Sequence, residues 1–303
     1  MKKSILLFLA FLITAGAAIY QRKTGPTYPK EMIVNLNDSL YTIELIRSIG
    51  LDERPEVKLE FTDTTIKARL FFKRYRSQDD YQMREFVYKE YPVNSFIMNK
   101  ILHINIEKGY FASVPQQPPA GKIQYYIELE DKSGSKSLMK DTPVVIRFKG
   151  SVPGYILGPH IIFMFLAMLY STASGLFAAF KVPVYKKYGK WALGLLIAGG
   201  LVLGPVVQKY AFGEFWTGIP FGWDLTDNKL LIALAFWIYA VEVNRSKEKP
   251  LPALIAAIVL LLVYSIPHSL FGSELDYSSG KVIQGLIIVF FFRSQKNLKL
   301  SAA

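Results

Sequence analysis

Cysteine is absent from the 303 residues, which excludes a disulfide, a thiolate ligand and a thiol redox centre anywhere in the chain. Histidine is scarce, with only His103, His160 and His268. Any bound metal or cofactor must therefore be held by these few imidazoles or by carboxylate, tyrosine or methionine. No Ser-His-Asp order, phosphate-cradling glycine loop or His-Glu-x-x-His helix occurs, so an enzyme is the least supported class. The net charge of +12 is not matched by a basic patch interleaved with aromatics, which argues against a nucleic-acid partner. Acidic residues are also missing from the interior of the apolar runs, where only Gln208, Gln284 and a few Ser and Thr stand, with Glu242 at an inner edge. That scarcity weighs against an ion path through the spans.

What is present is apolar and unevenly spread. Hydrophobic residues make up 51% of the chain and gather in its second half, the pattern of a membrane protein with a soluble insert. Lys2 and Lys3 precede an apolar run from Ile5 to Ile19, which reads as an uncleaved signal anchor or first transmembrane helix over residues 1–20. From 21 to 153 short alternating runs are broken by turn signals such as Asn37-Asp38, Lys108-Gly109 and Ser133-Gly134. Nine strands are expected, the sixth of them over Ile101 to Ile106 with His103 inside it, and together they suggest an all-β sandwich.

Further apolar spans run over Ile161 to Phe180, Trp191 to Tyr210, Leu230 to Val243 and Leu251 to Ile266, with a last one starting near Tyr277 and ending at Phe292. The reading is thus a helical membrane bundle of about six spans with an inserted all-β sandwich. The bundle occupies 154–296 after the insert, followed by a cytoplasmic tail at 297–303. The connectors sort by charge. Lys181, Lys186, Lys187 and Lys190 fill one, Arg245, Lys247 and Lys249 the next, and Arg293, Lys296 and Lys299 the tail. By the positive-inside rule these are cytoplasmic, so the chain is expected in the inner (plasma) membrane with 21–153 extracytoplasmic.

This orientation brings three features to the outer level. His160 follows Gly158-Pro159 at the start of the second span, and His268 follows Pro267 at the end of the fifth. Between them in sequence lies the aromatic stretch Phe212 to Lys229, with Trp216, Trp223, Asp224, Asp227 and Asn228. Interfacial anchoring accounts for tryptophans at this depth, and boundary histidines are often plain polar residues. Their joint placement is what suggests a site, since ionisable groups at membrane depth tend to mark one. Two imidazoles and an aromatic shelf suit haem, with His160 and His268 as axial ligands, Trp216 and Trp223 as packing faces, Asp224 orienting and Lys229 meeting a propionate. Alternatively, His160, His268, Glu274 and Asp276 form a mixed set for a divalent metal such as zinc. Gly199, Gly200, Gly204 and Pro205 read as close helix packing or a kink.

Two resemblances add expectations. The run from Tyr110 to Asp131 resembles the final hairpin of immunoglobulin-like or fibronectin type III-like extracytoplasmic modules, in which Tyr125 and Ile127 share one face and Tyr126 and Glu128 the other. Trp216, Gly218, Trp223, Asp224, Leu225 and Thr226, flanked by His160 and His268, resemble the tryptophan-rich outer loop of the haem-handling membrane proteins of cytochrome c maturation. Where that family carries closely spaced tryptophans, this chain has Ile219, Pro220 and Phe221. The likeness, from Pro159 to Ser279, implies haem handling or electron transfer; the β domain, outside the likeness, is expected to dock another envelope protein or to roof the site. The remaining classes are an ion- or metal-linked transport component and a non-catalytic envelope scaffold.

Overall fold

The computed structural model describes residues 2–61, 63–93, 97–268, 270 and 274–283. Six α-helices occur among them: α1 (Lys2–Thr24), α2 (Gly154–Ala179), α3 (Tyr185–Leu195), α4 (Gly204–Phe212), α5 (Leu225–Val243) and α6 (Pro250–Ser265). The strands are β1 (Lys30–Leu36), β2 (Ser39–Leu45), β3 (Ser48–Gly50), β4 (Glu56–Leu59), β5 (Lys67–Arg74), β6 (Gln82–Glu85), β7 (Val87–Pro92), β8 (Ile106–Ser113), β9 (Lys122–Asp131), β10 (Gly134–Leu138), β11 (Val144–Lys149), β12 (Glu274–Asp276) and β13 (Lys281–Ile283). The described chain divides into two compact units. One is β-rich and comprises Thr27–Lys149 with Tyr277–Ser279; the other is helical and is built from the residues on either side.

In the β-rich unit the alternation of the sequence becomes alternation of burial. Ala68, Leu70 and Phe72 of β5 turn inward while Lys67, Arg69 and Lys73 turn out. Opposite them on β9, Ile127 faces Leu70 and Tyr125 faces Phe72 in antiparallel register. Tyr125 is fully enclosed and its hydroxyl donates to the Ile46 carbonyl at 3.0 Å. Asn37 and Asp38 both take positive φ, which closes the β1–β2 hairpin tightly. Tyr126, on the other face of β9, stacks on Phe71 with ring centroids 4.8 Å apart.

The expected all-β sandwich is not what forms. The strands distribute over several separate sheets: β1 with β2 alone, β4-β8-β7, and a larger sheet ordered β3-β11-β9-β5-β6 with β10 also on β9. Strand β3 pairs with β11 in parallel, which a simple meander does not produce. The expected strand over 101–106 is also corrected. A π-helical turn occupies Ile97–Ile101, and His103 sits in an irregular segment with φ of 55°.

The helical unit corrects the six-span expectation. Among the described residues three helices are long and apolar enough to cross a membrane: Lys3–Thr24, Gly154–Ala179 and the continuous Tyr185–Phe212, in which α3 passes into α4 through a π-helical stretch at Leu196–Leu203. Helix α6 is apolar but has 16 residues, about 24 Å at 1.5 Å each, which is short of a ~30 Å hydrocarbon core. Helix α5 carries Asp227, Lys229 and Glu242 within 19 residues. Residues 277–283, where the last span was expected to begin, form a turn and β13, and the rest of that span lies outside the described residues.

Small residues set the helix spacing. A Cβ on Gly175 would lie 2.5 Å from the Ala257 Cβ, one on Gly199 2.8 Å from the Phe163 Cβ, and one on Gly200 2.5 Å from Leu230. Trp237 fills the centre, with Ala167, Ala192, Ala233 and Ala256 in the same core. Large apolar side chains such as Phe8, Phe11, Ile161, Ile162, Val202 and Leu262 point outward, while Ser171, Ser174, Asp227, Lys229 and Asn244 are buried. Apolar outside and polar inside is the distribution a lipid solvent favours.

Candidate functional site

The first turn of α5 folds the aromatic loop. Asp224 caps the helix, its carboxylate accepting from Thr226 N at 2.8 Å and Asp227 N at 3.2 Å. Asp227 turns back onto the loop and accepts from Thr217 N at 2.7 Å and Gly218 N at 2.9 Å. Asn228 accepts from Ile219 N at 2.8 Å. Gln208, from the end of α4, donates to the Thr217 hydroxyl and to Asp227. Gly218 is required here, because a Cβ would stand 2.5 Å from that of Asp227. Asp224, Asp227 and Asn228 thus do structural work in the loop.

The two tryptophans part company. Trp216 is half-buried and donates its Nε1–H to the Ile219 carbonyl at 3.1 Å. Trp223 is turned outward and is 60% exposed.

Lys229 is buried, and its Nζ donates to the Ile266 carbonyl at 2.8 Å. Ile266 is the residue that ends α6, so a cation from α5 meets the negative end of α6. Beyond that end stands His268. The amide of Gln21, near the end of α1, bridges this junction: its Nε2 donates to the Tyr264 carbonyl at 2.9 Å and lies 2.8 Å from His268 Nδ1. A carbonyl only accepts, so the amide nitrogen faces Tyr264, and a nitrogen that can only donate fixes His268 Nδ1 as the acceptor. The neutral ring then carries its proton on Nε2. His268 itself is exposed. Loss of hydration at the ring, with the nearby charges of Lys229 and His160 acting in the same direction, lowers its pKa to about 4.

His160 has the opposite polarity. It lies six residues into α2, about 9 Å along the axis from the first residue, and its Nδ1 is 2.9 Å from the Gly199 carbonyl in the π-helical stretch. That Nδ1 must donate, so the neutral ring presents a bare Nε2 lone pair.

The proposed ligand sets fare unequally. A haem ligand needs a bare imidazole nitrogen, and His160 fits: a backbone carbonyl on Nδ1 leaves Nε2 to bind iron. His268 does not fit in this arrangement, since its Nδ1 is engaged and its Nε2 is protonated. Glu274 is buried at the start of β12 and Asp276 ends the same short strand. Among the described residues no three His, Asp or Glu are grouped to hold a metal ion, so His160, His268, Glu274 and Asp276 are not assembled as one.

No family model, curated protein or solved structure matches this chain. The reading of the site therefore rests on its own atoms. Sequence reasoning missed Gln21 and the carbonyls of Gly199, Tyr264 and Ile266. The signal for Gln21 was available, as a polar residue within one turn of the end of an apolar helix; main-chain acceptors leave no trace in side-chain identity.

Proposed function

We propose that the chain is a proton-linked component of the inner (plasma) membrane, with residues 21–153 on the outer side by the charge of its connectors. The observation that carries this is the opposite hydrogen-bond polarity of His160 and His268. A water or ligand hydroxyl placed between a bare Nε2 on one ring and an Nε2–H on the other would be both held and polarised. His160 Nε2 takes its proton, becoming imidazolium while Nδ1–H stays on Gly199, and the resulting oxyanion accepts from His268 Nε2–H within the field of Lys229. The β-rich unit is then the part available to an envelope partner.

The test is proton flux into proteoliposomes with a pH dye inside, driven by a potassium diffusion potential. His160→Asn is expected to reduce flux about a hundredfold, the lower end of the range for loss of a positioned base. Flux equal in wild type, His160→Asn, His268→Asn and protein-free vesicles would sink the reading.

A haem reading keeps one specific observation, the ligand-ready Nε2 of His160. It predicts a haem absorbance in purified protein that His160→Ala removes and His268→Ala leaves. A colourless protein from haem-replete cells rules it out.

A further inference from the structure

The loop from Phe215 to Trp223 presents large apolar side chains on its outer surface. Phe215, Ile219, Phe221 and Trp223 are exposed, Phe221 by 80%. Frayed loops also expose such residues, but this one is not frayed. Its backbone amides at Thr217, Gly218 and Ile219 are bonded to Asp227 and Asn228, and those of Phe221 and Gly222 to the Gly218 carbonyl at 2.9 Å. Polar groups gathered on one side hold the apolar ones on the other. The order of the outward side chains is therefore built in before any contact is made, and together they form an exposed apolar patch.

What covers them is indicated by where the loop begins. It leaves the end of the continuous helix Tyr185–Phe212, which is long and apolar enough to cross a membrane, so the loop lies at the level where such a helix meets the headgroups. Aromatic rings are favoured at that level. Lys209, in the last turn, has its Nζ 5.3 Å from the centroid of Phe215 and donates to the Gly213 carbonyl, which sets a cation at the rim where lipid phosphates stand.

We infer that Phe215, Ile219, Phe221 and Trp223 form a preformed wedge that seats in the headgroup and acyl boundary of the bilayer, with Trp216 turned inward as its internal brace. This holds whether or not His160 and His268 handle protons.

The absence of cysteine makes the test direct. Single variants F221C and Q78C, the latter on an exposed turn of the β-rich unit, are labelled with a polarity-sensitive dye and reconstituted full-length into phosphatidylcholine vesicles containing phosphatidylglycerol. The label at 221 is expected to shift to the blue and to be quenched by nitroxide lipids but not by aqueous iodide, with the reverse at 78. Iodide quenching at 221 overturns the inference in favour of a solvated loop; protection from both quenchers overturns it in favour of a protein cover. An unlabelled W223F variant in brominated lipid supplies the second measure. It should lose part of the lipid quenching of tryptophan emission, and unchanged quenching counts against the wedge.

Discussion

Lys229 Nζ and the carbonyl of Ile266 are 2.8 Å apart, so the start of α5 supplies the cation that closes α6. The same ammonium acts on His268 two residues further on. Lys229→Met is expected to lower stability by about 2 kcal/mol, because it strips the end of a helix of its donor and removes a positive charge that acts with buried Asp224. The same variant raises the pKa of His268 by removing a repelling cation. Thermal unfolding in detergent and imidazole NMR report the two effects separately; a stable variant with an unmoved His268 would dissociate Lys229 from this junction.

Asp227 holds the loop through two main-chain amides. Replacing it with Leu leaves the Thr217 and Gly218 N–H groups unsatisfied beneath a packed turn, at a cost of about 1–3 kcal/mol for each group left bare. Hydrogen exchange at those two amides should accelerate while exchange in α2 is unchanged. Equal protection in both proteins would mean the loop is held by other means.

Gly199 packs closely against Phe163 and Met164 of α2 from the π-helical stretch. Gly199→Ala places a methyl 2.8 Å from the Phe163 Cβ, an overpacking expected to cost about 1–3 kcal/mol and to draw the Gly199 carbonyl away from His160. The readout is a lower midpoint of unfolding together with a changed Nδ1–H resonance of His160. A tolerated alanine with an unchanged resonance would contradict this packing.

Individual strands and helices were legible in residue order while the sandwich and the six spans were not what formed, and the limits of legibility are physical. The alternation in Lys67–Arg74 and Lys122–Asp131 gave two strands at nearly their final bounds, because a half-buried strand writes its two faces into alternate letters. The three-residue β3 left no such record, and its parallel partner β11 is about a hundred residues away. Apolar runs located the helices but overstated how many reach across a bilayer, since hydropathy registers composition while α6 falls short in length. At the site, the aromatic loop and both histidines stood out by residue type. Their roles did not, because the polarity of each ring is set by an acceptor or donor on a distant element: Gly199 for His160 and Gln21 for His268.

Acidification should strike the two units in sequence. His268 is held neutral in the folded chain with a pKa of about 4, against about 6.5 unfolded, so the unfolded state binds the proton first. The stability this contributes is present above about pH 6.5 and falls as pH drops toward 4. In the β-rich unit the Arg74 guanidinium, bonded at 2.6 and 2.8 Å, holds Asp79 down to about 2, so its contribution is present above about pH 4 and is lost between there and pH 2. Unfolding followed against pH by probes in each unit should show the helical one weakening first. Simultaneous loss near pH 3, or a helical unit indifferent to pH between 6.5 and 4, would contradict it.

The close approaches at Gly175, Gly199 and Gly200 have a consequence for how this chain tolerates change. In a water-soluble protein the large apolar residues are the vulnerable ones and the periphery accepts almost anything polar. Here the interior around Trp237 is sized by side chains that are missing, and many bulky ones face outward. A saturation map of the helical unit should come out reversed: a methyl group is the damaging insertion inside, and leucine, isoleucine and phenylalanine exchange freely outside.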